Sequence, residues 1–269
     1  MATREGSLDA PTRHPLDWQA PDFWNKQSLE KELERVFDIC HGCRRCFNLC
    51  NSFPTLFDAV DASPTGEVDG VPRAVFADVV DHCYLCDMCY MSKCPYVPPH
   101  PFNVDFPHLM LRAKAVRFRA EGAPLLSRIL SATAQVGSIA GIPVISELVN
   151  AVNGNQVGRL LLEKALGVAR DAPIPRYESD TARKRLARQT VAAAPVEAVN
   201  GTSGKVILYT TCYGNRNLPA MVEDLVAVFR HNGITVQLVG SEQCCGMPKL
   251  ELGDLDSVAR AKAANVPEL

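Results

Sequence analysis

Several patterns by which enzymes are identified are missing from this sequence. It contains no Gly-x-Gly-x2-Gly fingerprint, so flavin or NAD would have to be bound by a partner. It contains no Ser/His/Asp set and no paired carboxylates, the usual patterns of nucleophilic and acid–base catalysis. Residues 1–18 mix charged residues without an apolar core, so nothing indicates export and a cytoplasmic location is expected.

The chain also lacks a strong net charge. Its 269 residues carry a formal net charge of −2 and are 47% hydrophobic and 22% charged. Nucleic-acid binding usually needs a pronounced basic surface, so no nucleic-acid partner is expected. The length and composition fit a globular protein of roughly two domains.

Cysteine, by contrast, is abundant, with 11 residues in the chain. Eight of them form two runs, Cys40-x2-Cys43-x2-Cys46-x3-Cys50 and Cys83-x2-Cys86-x2-Cys89-x4-Cys94-Pro95. Two such runs are the ligand set of two [4Fe–4S] clusters, in which the fourth cysteine of each run binds the other cluster. The spacing therefore predicts two metal centres with interleaved ligands: cluster 1 at Cys40, Cys43, Cys46 and Cys94, and cluster 2 at Cys83, Cys86, Cys89 and Cys50.

Two other uses of these cysteines fit the spacing less well. Zinc takes four ligands in a tetrahedron, commonly as two Cys-x2-Cys pairs, so a repeated three-cysteine run suits it poorly. A disulfide framework needs an oxidising compartment, and an odd number of cysteines without an export signal argues against one. A structural metal-binding module for protein interaction stays open as an alternative.

The residues around the ligands predict how the clusters are tuned. Four residues are expected in the cluster environment: Gly42, Arg44, Arg45 and Pro95. Gly42 would allow a tight turn and a close approach of the backbone to the cluster, with an ordinary loop glycine as the alternative. Both arginines lie in the first run, whereas Asp81 and Asp87 flank or enter the second. Because positive charge favours the more negative, reduced state, cluster 1 is expected to have the higher potential.

Residues 28–121 alternate helical patterns with cluster-binding turns, which predicts an α-helical ferredoxin module. Ser28 is expected to cap a helix that runs with helical periodicity into Cys40. Further helices are expected at 74–80 and from about 104 to 120. Residues 1–27 precede this module as an N-terminal extension.

The next two segments are apolar and then linker-like. Residues 122–170 carry no charge between Arg128 and Glu147, but polar residues, glycines and a proline interrupt the stretch. A buried or interfacial helix pair is expected there, rather than a membrane span, with a membrane surface or another subunit as its alternative contacts. Residues 171–204 have the Pro-rich and Gly/Ser-rich composition of a linker, whose basic middle is expected to form a short helix.

The C-terminal segment 205–269 changes to an α/β pattern. Two short β-branched apolar runs, 205–211 and 234–239, are separated by a helix with proline at its start and glycine past its end. Strand, helix and strand in this order predict a βαβ unit with parallel strands, the start of an α/β domain.

Three further cysteines follow these strands. Cys212 comes after the first strand, and Cys244 and Cys245 come after the second. Because ligands bind at the carboxyl ends of parallel strands, the three thiols are expected to converge on one site. Three unrelated cysteines are the alternative.

The pattern Cys212-x31-Cys244-Cys245-Gly246, together with the two upstream runs, resembles the CCG-domain family of heterodisulfide reductase-related iron–sulfur proteins. That family includes the iron–sulfur subunits of anaerobic glycerol-3-phosphate dehydrogenase and glycolate oxidase. A full CCG motif continues with further cysteines and is usually present twice, whereas this sequence has only the opening cysteines of one copy. Because two strands alone are rarely stable, a fragment, or a sheet completed by another polypeptide, is expected.

The resemblance implies electron transfer. It predicts an oxidoreductase subunit that relays electrons through two [4Fe–4S] clusters between a flavoprotein or thiol partner and a quinone or another carrier. The CCG cysteines would hold a third iron–sulfur cluster or line a disulfide-reducing site, which makes a disulfide reductase the alternative function. A quinone acceptor would add peripheral contact with the inner face of the membrane.

Overall fold

The computed structural model describes residues 11–189 and 205–269 and is mostly helical, with one parallel sheet of two strands in those ranges. The chain divides into two compact units. Unit 1 contains the described residues up to Ala123 and the segment Lys249–Leu255, and unit 2 contains those of Pro124–Pro248 and Asp256–Leu269. This division differs from the expected domains, because a short segment from within 205–269 belongs to unit 1.

Unit 1 is built on four helices, α1 (Lys26–Cys43), α2 (Ser52–Asp61), α3 (Arg73–Asp81) and α4 (Phe106–Glu121). The helix expected to start at Ser28 starts earlier, because Asn25 is its N-cap and accepts a hydrogen bond from the Ser28 N–H. Helix α2 contains Pro54 in its first turn, where proline leaves no intrahelical hydrogen bond unmade.

The core of unit 1 is aromatic at its centre. Phe37 is fully buried and packs edge-on against Phe76, with ring centroids 4.9 Å apart. Phe53 of α2 lies against Phe106 of α4 at 4.8 Å. Phe37 also lies 6.2 Å from Phe106, so these contacts join all four helices, and several motif cysteines pack against the same core.

The segment Lys249–Leu255 is an integral part of unit 1. Leu255 is buried with Phe23, Leu111 and Ala115. Gly253 has φ +83°, and a Cβ there would lie 2.5 Å from the Lys114 carbonyl, so only glycine fits this approach. Phe23 comes from the expected N-terminal extension, which therefore also contributes to the core.

The apolar segment of unit 2 forms four short helices instead of the expected pair: α5 (Leu125–Leu130), α6 (Thr133–Ala140), α7 (Pro143–Gly154) and α8 (Gln156–Leu166). Several large apolar side chains on them are exposed, including Leu125, Val144, Leu148, Val157 and Leu161. Within the described ranges no single helix has the length and apolarity to cross a membrane; α6 and α7 meet that criterion only as a pair, bent by 105°.

The remainder of unit 2 contains the sheet. Its elements are α9 (Ala182–Arg188), β1 (Lys205–Leu208), α10 (Cys212–Arg216), α11 (Pro219–His231), β2 (Thr235–Leu238), α12 (Met247–Leu252), which runs on into unit 1, and α13 (Leu255–Asn265). Strands β1 and β2 are parallel, with Lys205 opposite Thr235, which confirms the predicted βαβ unit. Helix α9 falls in the expected linker, but its Leu186 is buried against Val222 and Val226 of α11. Residues 190–204, the rest of that linker, lie outside the described residues.

Candidate functional site

The four cysteines assigned to cluster 1 line a single small cavity in unit 1: Cys40, Cys43, Cys46 and Cys94. The first two lie in the last turns of α1, and Cys94 directly follows a π-helical turn at Cys89–Lys93. Pro95 and Arg45 also line the cavity, and Phe53 closes its apolar side. The structure therefore brings the fourth cysteine of the second run to the first three cysteines of the first run.

Burial and mutual proximity act on these thiols together. Burial raises the pKa of Cys40, and the neighbouring Cys94, Cys46 and Cys43 raise it further. Burial also raises the pKa of Cys94, but hydrogen bonds from the backbone N–H groups of Tyr96 and Val97 lower it. Buried thiols with N–H donors at sulfur fit a bound iron–sulfur cluster, which would replace their protons.

Three of the four cysteines assigned to cluster 2 are also close together. The pKa of Cys83 is raised to about 11: burial is the main cause and Cys50 adds to the rise, while the Leu85 N–H and Lys114 lower it. Burial raises the pKa of Cys89, and neighbouring thiols, among them Cys83 and Cys50, add to that rise. Cys86 differs from these three, because its side chain is exposed and it is not among the groups that act on Cys83 or Cys89.

The two cysteine sets adjoin each other. Cys46 and Cys40 of the first set act on the pKa of Cys89 in the second. In the part of the chain that the structure describes, no three His, Cys, Asp or Glu side chains converge closely enough to hold one metal ion. In a [4Fe–4S] cluster each thiolate binds a different iron, so its ligands do not have to converge on one point.

Unusual backbone conformations mark the cysteine-bearing turns. Five described non-glycine residues have a positive φ, and four of them directly adjoin a cysteine of these motifs: Arg44, Leu85, Asp87 and Thr211. Left-handed conformations cost free energy for residues with a Cβ, and they concentrate at functional sites. The tight turn expected at Gly42 is found at Arg44 instead, because Gly42 is still helical and a Cβ there would meet nothing within 4 Å.

Three of the charged residues expected to tune the clusters form ion pairs. Arg44 forms an ion pair with the exposed Asp61, and Asp81 forms one with Arg117. Asp87 is 2.8 Å from Arg13, which also binds Asp105 at 2.9 Å. Arg45 lies close enough to lower the pKa of Cys94, so its charge acts on a thiol of cluster 1.

The three cysteines that follow the strands share one edge of the sheet in unit 2, and we call them the three-cysteine site. Cys244 Sγ lies 3.4 Å from Thr133 Oγ1, and Cys212 Sγ lies 3.7 Å from the same hydroxyl. Burial raises the pKa of Cys212, the Thr133 hydrogen bond lowers it, and Cys244 and Cys245 raise it further. Cys245 itself is exposed.

Polar contacts shape the loop that carries Cys244. Glu242 accepts hydrogen bonds from the Thr210 hydroxyl and from the Thr210 N–H at 3.0 Å, and it pairs with Arg183 at 3.3 Å. The Asn265 side chain accepts from the Gln243 N–H at 2.8 Å. Gly246, the glycine of the Cys-Cys-Gly motif, has φ +88°, a conformation that other residues rarely adopt.

A cavity of about 400 Å³ opens beside two of the three thiols, Cys212 and Cys244. Arg183 and Arg216 line it together with the polar side chains of Ser138 and Asn215. This is large enough for a small ligand or for a cofactor bound to the cysteines.

Two residues of this site could not be predicted from the sequence. Thr133 lies 111 positions before Cys244, in a segment that the sequence marks only as apolar. Glu242 is an ordinary acidic residue in a loop, and no spacing in the sequence connects it to Thr210.

Comparisons with known proteins match parts of this chain. Residues 206–268 match the family of CCG cysteine-rich domains. The chain is 27% identical over 169 residues to one of the subunits of the anaerobic glycerol-3-phosphate dehydrogenase of Escherichia coli strain K12, a match that covers 63% of this chain and 40% of the relative. It is 26% identical over 95 residues to citrate utilization protein B of Escherichia coli, covering 35% of this chain and 22% of that protein. No solved structure matches the chain.

The chain therefore spans well under half the length of these curated relatives. The match to residues 206–268 contains all three thiols of the three-cysteine site and ends before the last residue, Leu269. Together the matches identify the chain as a protein with a CCG cysteine-rich domain that is homologous to a subunit of anaerobic glycerol-3-phosphate dehydrogenase.

Proposed function

We propose that this chain is an iron–sulfur electron-transfer subunit of an oxidoreductase. Two [4Fe–4S] clusters would be held by Cys40, Cys43, Cys46 and Cys94, and by Cys83, Cys86, Cys89 and Cys50. The observation that carries the proposal is the cavity lined by the first four thiols, since Cys94 reaches it from the other run. When bound, each cluster would accept and release one electron at a time.

The residues of this chain would insulate the clusters and set their potentials. Phe53 and Phe57 line the cluster 1 cavity and would exclude water from it. The N–H groups of Tyr96, Val97 and Leu85 would donate hydrogen bonds to the ligand sulfurs of Cys94 and Cys83 and so stabilise the reduced state. Cys46 and Cys40 lie near enough to Cys89 to raise its pKa, and this proximity supports transfer between the two clusters, because electron transfer requires short distances.

The partners of this relay belong to the same proposal. A flavoprotein dehydrogenase or a thiol partner would donate electrons, and a quinone or another carrier would accept them. The relative's name, which makes it one subunit of a dehydrogenase, supports a partner subunit. A cytoplasmic location, with peripheral contact at the membrane, is the expected setting.

Metal and sulfide analysis of the anaerobically purified chain tests the proposal. We expect about eight iron and eight sulfide per chain if only the two clusters are bound, or about twelve of each with a third at the three-cysteine site. Cys94→Ala and Cys43→Ala should lose the same electron paramagnetic resonance signal, and Cys50→Ala and Cys86→Ala should lose the other. Phe47→Ala is the matched control, because this exposed residue lies in the first run without a thiol. Zinc in place of iron would instead indicate a structural metal module.

A disulfide reductase is the second candidate, and the three-cysteine site favours it. Cys212 and Cys244 share the Thr133 hydroxyl and border a cavity, as a substrate-reducing thiol pair would. In that reaction the two clusters would supply one electron each, and these two electrons with two protons from water would convert one disulfide into two thiols. Cys244→Ser and Cys245→Ser separate the two functions: loss of a third cluster signal indicates a carrier, whereas intact clusters with lost disulfide reduction indicate the enzyme.

A further inference from the structure

The hydroxyl of Thr133 connects two sulfur atoms of the three-cysteine site. It is 3.4 Å from Cys244 Sγ and 3.7 Å from Cys212 Sγ. A threonine hydroxyl has one proton to donate and two lone pairs to accept with, so it can accept from one sulfur and donate to the other. Thr133 lies outside residues 206–268, so the matched domain alone does not contain this contact.

Arg216 holds helix α6, which begins at Thr133, through close approaches at Gly137 and Gly141. The Arg216 side chain crosses the helix where glycines leave room: a Cβ at Gly137 would lie 2.9 Å from its Cδ, and one at Gly141 would lie 2.9 Å from its Nη1. Arg216 also donates to the Gly137 carbonyl at 3.1 Å and to the Ser138 hydroxyl at 3.3 Å.

Helix α10 completes this arrangement, because Cys212 begins it and Arg216 ends it. The first residues of the two short helices, Thr133 and Cys212, are therefore in contact, and Arg216 at the end of α10 contacts Gly137 within α6 and lies beside Gly141, which follows it. Arg216 therefore holds the backbone of α6, and with it Thr133, in place beside the sulfurs.

The side chains of Tyr209 and Asn265 lie near the site but donate hydrogen bonds to backbone carbonyls. The Tyr209 hydroxyl donates to the Gln243 carbonyl, and Asn265 donates to the Cys244 carbonyl at 3.3 Å. Their hydrogen bonds stabilise the loop, whereas the Thr133 hydrogen bond is made to sulfur itself.

We propose that Thr133 is a positioning residue of the three-cysteine site, whose hydroxyl contacts the Cys212 and Cys244 sulfurs and, by donating its one proton to one of them, stabilises negative charge on that sulfur. The inference rests on the proposed redox role of this site, and it holds whether the cysteines bind a cluster or form a thiol pair. In both cases the reduced state carries more negative charge on sulfur or gains thiolate character. A hydroxyl donated to sulfur therefore raises the reduction potential.

A redox titration of three variants of the full chain tests this. The signal to follow is the one that Cys244→Ser abolishes, whether a cluster spectrum or a disulfide found by alkylation and peptide mapping. Thr133→Val keeps the shape of the side chain and removes the hydroxyl, so its midpoint should shift to a more negative potential. Thr133→Ser restores a hydroxyl and should return the midpoint to the wild-type value.

Every result of this titration either supports or contradicts the role of Thr133. Equal midpoints in Thr133→Val and the wild type would overturn it, as would a shift in Thr133→Ser as large as that in Thr133→Val. Absence of any redox signal that depends on Cys244 would overturn it too. Iron and sulfide near eight per chain would then still uphold the two-cluster relay, so the two failures are distinguishable. Thermal unfolding of the Val and Ser variants controls for a general loss of structure.

Discussion

The two cysteine sites differ in what surrounds their sulfur atoms. In unit 1, Cys83 belongs to the buried core, and five more motif cysteines pack against that core: Cys40, Cys46, Cys50, Cys89 and Cys94. In unit 2, the buried core is formed by Ala182, Leu186, Val222 and Val226, with no cysteine among them. The three-cysteine site is instead held by hydrogen bonds at the edge of the sheet.

This difference indicates two ways of holding a redox group. Where the ligands are part of the core, binding the group and folding the unit are coupled, because the group would link the turns that surround the core. Where the thiols lie at a sheet edge, we expect the fold to be stable without a group bound to them. We also expect the site to change its oxidation state without repacking of the core. The predictions below test this contrast, beginning with the largest effect.

Removing iron should destabilise unit 1 far more than unit 2. We expect several kcal/mol of stability to be lost in unit 1, because metal binding contributes directly to folding when the ligands are buried. Hydrogen exchange measured by mass spectrometry, before and after anaerobic chelation, separates the units. Protection should fall in α1 to α4 and stay unchanged in α11.

Cys244→Ser is the matched control for that experiment, because it removes a thiol of unit 2. It should leave protection in both units close to the wild-type level. Equal losses of protection in α1 and α11 after chelation would remove the contrast between the sites.

Glu251→Ala should cost roughly 3–5 kcal/mol of unfolding free energy, since it leaves a buried ammonium without its partner. Lys114 is 4% exposed and lies 2.5 Å from Glu251, which is itself 31% exposed. Lys114→Met should cost less, because the remaining carboxylate can reach water. Anaerobic guanidinium unfolding followed by circular dichroism measures both.

The double variant Lys114→Met/Glu251→Leu is the control for this pair. It should recover most of the stability lost in Glu251→Ala, because no buried charge remains. A double variant no more stable than Glu251→Ala would mean that the loss came from packing of the segment Lys249–Leu255 and not from charge.

The local order of the chain could be predicted from the sequence. Periodicity identified α1 and α11, and the β-branched runs identified β1 and β2 with their parallel pairing. These features depend on neighbours a few residues apart, which the sequence displays directly. The end of each strand then indicated where Cys212 and Cys244 would lie.

Contacts between distant residues could not be predicted in this way. The Lys114–Glu251 pair joins residues 137 positions apart, and Thr133 meets Cys244 across 111 positions. Nor does the sequence show that Gly137 and Gly141 make room for Arg216, because a glycine in an apolar stretch reads as a helix interruption. The apolar segment accordingly forms four helices where a pair was expected.

Gly137→Ala should destabilise unit 2 by about 1–3 kcal/mol, since the new methyl group would lie 2.9 Å from Arg216 Cδ. The arginine is flexible, so we expect the lower end of that range. Gly154→Ala is the matched control: it also lies in a helix, and a Cβ there meets nothing within 4 Å. That variant should be neutral or slightly stabilising, because alanine has the higher helix propensity. Thermal unfolding compares the two variants. Equal losses of stability would mean that the space left by Gly137 is not needed to accommodate Arg216.

The smallest expected effect separates the two arginines of the first run. Arg45 lines the cluster 1 cavity near Cys94, whereas the charge of Arg44 is already balanced by Asp61. Arg45→Gln should therefore shift the cluster 1 midpoint to a more negative potential by more than Arg44→Gln does, because it removes a cation that lines the cavity and acts on Cys94. A redox titration followed by electron paramagnetic resonance measures both shifts, and the cluster 2 midpoint is the internal reference. A larger shift in Arg44→Gln would mean that the cluster responds to the exposed charge of the turn more than to the groups that line its cavity.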